Sequence, residues 1–209
     1  MNNFLKLATN IDILPLRLAL ARQPELWHAD TYMRDYPQGP FGEINSVLLR
    51  FPVKRVFEME EDLANYNAGK SQWDWHESVD YPAFDSLPEA RPIIMALMAR
   101  VNGERLGRVI INRVPAGSKI DAHEDTPIHT SYYSRFHVVL QSQPGVVFIA
   151  GDEQVFMAPG EAWWFDNKTW HEVINNSAEE RIHMVVDIRC RVPSWSGATI
   201  THKAGGEIA

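Results

Sequence analysis

The chain has 209 residues, 45% of them hydrophobic and 22% charged, which suits one compact domain and excludes a disordered or fibrous protein. Lys and Arg total 20 against 27 Asp and Glu, so the formal charge is −7 and no basic cluster offers a stripe for phosphate backbones; nucleic acid is not expected as a partner. Cys190 is the one cysteine, so no internal disulfide or Cys-X-X-Cys framework exists, and a reducing, cytoplasmic setting is the expectation.

At the N-terminus Asn10 and Asp12 interrupt the apolar run, which reads as a folded start rather than a leader. No stretch of about 18 uncharged apolar residues follows, so no membrane partner is expected. Residues 11–22 are Leu-rich after a possible Asn10 cap and predict a helix, with Pro15 restricting where its first turn begins. Residues 44–51 read as a strand. A second helix is predicted over 87–102, where Ile94, Leu97, Met98 and Val101 share one face, Pro88 or Pro92 can open it and Gly103 can close it.

From residue 106 the texture changes to short β-rich runs at 106–114, 119–122, 135–141, 146–150, 154–157, 162–165, 172–174 and 181–188. Turn residues such as Pro115-Ala116-Gly117, Pro144-Gly145 and Pro159-Gly160 separate them, which predicts a barrel or double-sheet jelly roll. The expected organisation is a single domain over 1–209: a helix-containing N-terminal region at 1–105, a β core at 106–190 and a loosely ordered tail at 191–209.

Several chemistries lack local support. Gly69-Lys70-Ser71 matches the end of a P-loop, but position 64 is Ala64 and no apolar strand leads in, so an ordinary polar turn is expected. No serine-hydrolase elbow, dinucleotide loop or zincin helix is present. What remains is histidine: six of the eight lie in the β-rich half, namely His123, His129, His137, His171, His183 and His202. Residues two apart on an extended chain share a side, so His123 and Asp125 can reach one ion from a strand end. His171, at the start of a later strand, is the best third ligand. Two imidazoles and a carboxylate form the facial set used by non-haem Fe(II) oxygenases.

Arg181 stands ten residues after His171 in a strand that alternates into a β core. A guanidinium facing that core is costly unless an anion meets it, and a dicarboxylate co-substrate can supply one. Arg135 and His137 share one face of another strand; the competing reading for both arginines is a solvated outer face. His129 and His183 read as structural or supporting residues.

With these residues in hand, the sequence resembles the aspartyl/asparaginyl β-hydroxylase family of Fe(II)- and 2-oxoglutarate-dependent oxygenases. The resemblance covers residues 108–188 and rests on the Val114-Pro115-Ala116-Gly117 turn, His123-X-Asp125, Arg135-X-His137, the Pro159-Gly160-Glu161 turn and His171-Glu172-Val173 with Arg181. It implies a double-stranded β-helix of the jelly-roll, cupin-like kind, mainly β, with an α-helical N-terminal region packed on it. It further implies His123, Asp125 and His171 as iron ligands and Arg181 as partner of the distal 2-oxoglutarate carboxylate. Arg135 and His137 would assist co-substrate binding, and Asn112 holds a position where the family places a small polar contact. The implied reaction consumes O2 and 2-oxoglutarate, hydroxylates an unactivated C–H bond of an amino acid and releases succinate and CO2. Some peptide-modifying members carry Gly at the position of Asp125, so the full triad here makes free amino acids and other small acids competitive with a peptide.

The alternative from another class is a cupin-like module that binds a metal and a small acid without turnover. A weaker one, a cupin-type isomerase or a dioxygenase without co-substrate, leaves Arg181 without a task. In the N-terminal region Trp73, Trp75 and His76, within the aromatic and acidic run 73–77, are expected to wall a substrate pocket, against the competing reading of a packed aromatic patch.

Overall fold

A computed structural model describes residues 2–35, 39–54, 58–68, 70 and 74–191. Trp73, Gly69 and Ser71 of the polar turn, and 192–209 of the tail lie outside the described residues. In chain order the elements are β1 (Phe4–Ala8), α1 (Leu14–Arg22), a 3-10 turn (Pro24–Trp27), α2 (Tyr32–Asp35), β2 (Asn45–Phe51), α3 (Glu60–Asn67), β3 (Val79–Asp80), α4 (Pro82–Ser86) and α5 (Ala90–Arg100). There follow β4 (Gly103–Val114), β5 (Lys119–His123), α6 (Pro127–Tyr132), β6 (Ser134–Gln141), β7 (Val146–Ala150), β8 (Glu153–Val155), β9 (Ala162–Phe165), β10 (His171–Asn175) and β11 (Arg181–Cys190).

The strands form two antiparallel sheets, a seven-stranded one ordered β1-β9-β6-β11-β4-β2-β3 and a four-stranded one ordered β5-β10-β7-β8. Alternation along each strand decides what each face does. Val114, Val139, Trp163 and Phe165 of the large sheet meet Ile120, Phe148, Val155 and Val173 of the small one in a core between the sheets. The opposite register, Val109, Ile111, Phe136, Val138, Leu140, Met184 and Val186, forms a second core with Leu16, Ala19 and Leu20 of α1 and Ile93, Ile94 and Leu97 of α5. Both faces of the central strands are therefore covered, which explains why β11 is buried almost throughout.

Three details differ from the sequence expectations. The N-terminal region supplies more strands than the one expected at 44–51, which is β2: β1 and β3 are added, and they form the two edges of the large sheet. Asn10 does not cap α1; it takes a positive φ of 57° in the turn before it, and the Asp12 carboxylate accepts from the Leu14 N–H instead. α5 begins at Ala90, between the two prolines expected to open it, and Gly103 already belongs to β4. The Pro159-Gly160-Glu161 turn is needed as read: Gly160 has φ 78°, and its N–H and C=O tie Val139 to Ile11. Among the described residues no helix is long and apolar enough to cross a membrane.

Candidate metal centre and its flanking pocket

β5 ends at His123 and β10 begins at His171, and the antiparallel register sets these two residues opposite each other. Their rings stand 4.2 Å apart. Asp125, two residues past the end of β5, completes a group of three whose ligand atoms all lie within 4.8 Å of one another. Each imidazole is oriented by its own backbone: His123 Nδ1 donates to Asp121 O at 2.7 Å and His171 Nδ1 to Thr169 O at 2.9 Å. Carbonyls only accept, so both Nδ1 atoms carry the proton and both Nε2 lone pairs remain for an ion. Burial lowers the His171 pKa to about 4, so this ring is neutral and ready to ligate at pH 7.

Asp125 is held from behind. Its Oδ2 accepts from Arg135 Nη1 at 2.5 Å and from Asn167 Nδ2 at 3.2 Å, leaving Oδ1 outside these bonds. Burial works against its charge, but Arg135 and His171 outweigh burial and hold the carboxyl below its ordinary range. The other side of the Arg135 fork grips Asp187 through Nε at 2.8 Å and Nη2 at 3.1 Å. His129 Nε2 donates to Asp187 Oδ2 at 2.7 Å, so the four side chains form a continuous buried relay of charge-assisted bonds. Arg135, expected at the co-substrate, thus has Nε and both Nη atoms on carboxylates.

Arg181 is 1% exposed, the largest of the fully buried side chains, and has no carboxylate partner among the described residues. Burial pulls its pKa down to about 9. Its Nη2 donates to His183 Nδ1 at 2.9 Å, which makes that nitrogen an acceptor; His137 Nδ1, 3.3 Å from the same atom, must then be the donor. Within this group three buried polar atoms are without partners: Arg181 Nε, His183 Nε2 and His137 Nε2. Burial, and next the Arg181 charge, push both histidines well below their ordinary pKa, so neither competes for a proton. Ring contacts link this group to the triad, since Phe165 lies 5.0 Å from His171 and 5.3 Å from His137, and Phe148 sits 5.7 Å beneath the Arg181 guanidinium. Asn112 pairs with His183 in register and accepts from Ser46 Oγ at 2.8 Å.

Sequence reasoning missed Asp187 and left His183 as supporting. The period-two rule that joined Arg135 to His137 also puts Arg181, His183 and Asp187 on one face, so the information was present. Of the N-terminal aromatic run, Trp75 stacks on Tyr66 at 5.1 Å and donates its indole N–H to the Tyr66 carbonyl. His76 stacks flat on Tyr132 at 3.8 Å, and its carbonyl accepts from the Tyr133 hydroxyl at 2.6 Å, which docks the segment on the end of α6. Gly107 lets Tyr133 in: a Cβ there would stand 2.8 Å from the tyrosine ring.

Over residues 49–190 the sequence matches the family described as Aspartyl/Asparaginyl beta-hydroxylase. The chain belongs to this family. The match extends well before the motif region and takes in the end of β2 and all of α5. A prolyl hydroxylase from Trichoplax adhaerens, in complex with a hypoxia inducible factor oxygen degradation domain peptide fragment, superposes with a TM-score of 0.57 at 12% identity, covering 91% of this chain and 84% of that one. An oxidoreductase of the 2OG-Fe(II) oxygenase family from Burkholderia pseudomallei gives 0.49 at 18% identity, with 85% and 80% covered. A Pseudomonas putida prolyl-4-hydroxylase gives 0.47 at 15%, with 92% and 95% covered. No curated protein matches the sequence. Family membership makes the chain a 2-oxoglutarate-dependent hydroxylase that uses Fe(II) and O2, and decides for turnover over a purely binding module.

Proposed function

We propose that His123, Asp125 and His171 hold the iron, that Arg181 receives the distal carboxylate of 2-oxoglutarate, and that the substrate is an amino acid, free or within a peptide. The observation that carries this reading is a fully buried guanidinium without a carboxylate, joined through Phe165 and Phe148 to a two-histidine, one-carboxylate group. The donor set suits a borderline divalent ion, and the unpartnered donors Arg181 Nε and His183 Nε2 suit an incoming carboxylate. Bound Fe(II) supplies O2 activation: one oxygen atom enters the succinate formed with CO2 from 2-oxoglutarate, and the other replaces C–H by C–OH.

The chain's own residues bind, orient and shield. Phe148 and Phe165 exclude water between triad and arginine, His137 and Asn112 line the co-substrate side, and Arg135 fixes which oxygen Asp125 presents. Trp75 and His76 border the substrate space, with His76 the nearer to the charged mouth, where His129, Arg105 and Arg108 all act on it electrostatically. The architecture we assign is a double-stranded β-helix in one domain with the helical N-terminal half packed on its outer face, working in the reducing interior of the cell on a small molecule or peptide rather than on nucleic acid or at a membrane.

The test is succinate and CO2 from 2-oxoglutarate with Fe(II), ascorbate and air. Product is expected from the wild type and none above background from His171→Ala; wild-type turnover in that variant overturns the ligand assignment.

A further inference from the structure

A third arginine faces the same space, and none of the roles above uses it. Arg108 lies on β4 in register with Ile110 and Asn112, and it is close enough to Asp187, Arg135 and Asp125 to interact with all three charges. Its Nε is buried without a hydrogen-bond partner, and among the described residues the guanidinium makes no hydrogen bond or ion pair. The side chain lies over the Phe51 ring at 5.3 Å. Phe51 belongs with Leu48 and Ile110 to a small apolar cluster separate from both main cores, and Leu48 is the register partner of Ile110 across β2 and β4. A cationic head therefore stands beside an apolar wall, within electrostatic reach of Asp125.

Such a placement costs desolvation, and a methionine would cover Phe51 without that cost. The charges around it point to what offsets it. Among the chain's own groups, Asp125 and Asp187 balance Arg135 and Arg108, while divalent iron and dianionic 2-oxoglutarate balance each other. Arg181 is then one uncancelled positive charge in the pocket, and a single substrate carboxylate cancels it. Arg135 is already saturated by two carboxylates and Arg181 is committed to the co-substrate, so the open donor for that carboxylate is Arg108.

Resting on the oxygenase reading above, we propose that Arg108 anchors the substrate through a free carboxylate, so that the molecule hydroxylated is a small acid with a short apolar body rather than a residue inside a chain. The guanidinium fork receives the carboxylate in two parallel bonds, and Leu48, Ile110 and Phe51 cover the aliphatic part.

Protein loaded with Zn(II) and 2-oxoglutarate does not turn over, so calorimetric titration with free aliphatic amino acids, their N-acetyl forms and the carboxamide of each reads binding alone. At least one acid is expected to bind, its carboxamide at least tenfold more weakly. Arg108→Gln is expected to lose at least tenfold for that acid, with Arg108→Lys between it and the wild type. The proposal falls if no acid of the set binds the wild type, if acid and carboxamide bind within twofold of each other, or if Arg108→Gln binds the acid as the wild type does. Should Arg108→Gln not fold, the acid and carboxamide comparison on the wild type decides alone. Failure of the Zn(II)-loaded wild type to bind 2-oxoglutarate would instead break the oxygenase reading itself, which separates the two.

Discussion

Two arginines on neighbouring strands of one sheet, Arg135 largely and Arg181 fully buried, are treated in opposite ways. Arg135 on β6 has its Nε and both Nη atoms on carboxylates, and Asp187 is backed in turn by His129. Arg181 on β11 meets only a histidine nitrogen and the face of Phe148, and its Nε is left bare. Burial works against both charges; in Arg135 the two carboxylates outweigh it and hold the guanidinium well above its ordinary pKa, whereas in Arg181 nothing opposes it and the pKa falls to about 9. A buried charge that is fully paired is finished by the fold, whereas one left unpaired stores a desolvation cost that only a ligand can offset. In the proposed reading the first arrangement orients Asp125 as a metal ligand, and the second leaves Arg181 open for the co-substrate.

The largest effect expected concerns the ion that joins the two. His171→Ala removes one of two neutral imidazoles, and Mn(II) affinity measured by electron paramagnetic resonance is expected to fall at least 100-fold, with Asp125→Ala the mildest of the three ligand variants. Retained affinity in His171→Ala would leave the comparison without a centre. Next comes Asp187→Asn, which breaks a buried pair and is expected to cost about 3–5 kcal/mol in urea unfolding. The sign of its pH dependence follows from the carboxyl itself. Burial raises its pKa, but Arg135 and His129 win and depress it far below the ordinary 3.8. Its contribution is therefore complete above about pH 4 and lost as pH falls below that, towards the folded-state pKa. Stability of the wild type should drop on acidification below pH 4, and the drop should be shallower in Asp187→Asn; equal slopes would mean that the Arg135 pairing is not what the carboxylate sustains.

How much of this contrast could be read from sequence depended on whether a signal was local. The strands from residue 106 onward were legible because turn residues and alternation bound them, and all eight expected runs match their strands within three residues at either end. That His123, Asp125 and His171 could meet was suggested by the His123-X-Asp125 spacing and by a later strand beginning at His171, and the structure brings the three together. β1 was not, because residues 4–8 alternate too briefly to declare a strand, and their edge role comes from pairing with β9 far along the chain. The pairing of Arg135 was hidden for a related reason: its partner Asp187 is 52 residues away in sequence and adjacent only through the β6–β11 register. Arg108 was invisible because one arginine in a strand has no distinguishing spacing, and only its missing partner marks it.

The smallest effects are the most discriminating, because they act on Arg181 alone. In the absence of co-substrate, Arg181→Met removes an uncompensated buried charge while filling a similar volume beside Phe148. Thermal or urea unfolding without 2-oxoglutarate is therefore expected to show an increase of about 1–4 kcal/mol, where the equivalent Arg135→Met shows a loss. With excess 2-oxoglutarate the order should reverse, since only the wild type gains stability from mass action on a bound ligand. Arg181→Lys keeps a charge but not the planar fork, so it should retain binding while weakening it. A bidentate charge-assisted pair replaced by a point charge on a flexible stem loses on the order of 1.4 kcal/mol, which corresponds to a rise of about tenfold in the 2-oxoglutarate Michaelis constant. If Arg181→Met destabilised the co-substrate-free protein as Arg135→Met does, Arg181 would be a structural residue whose partner the fold supplies, and the contrast between the two arginines would disappear.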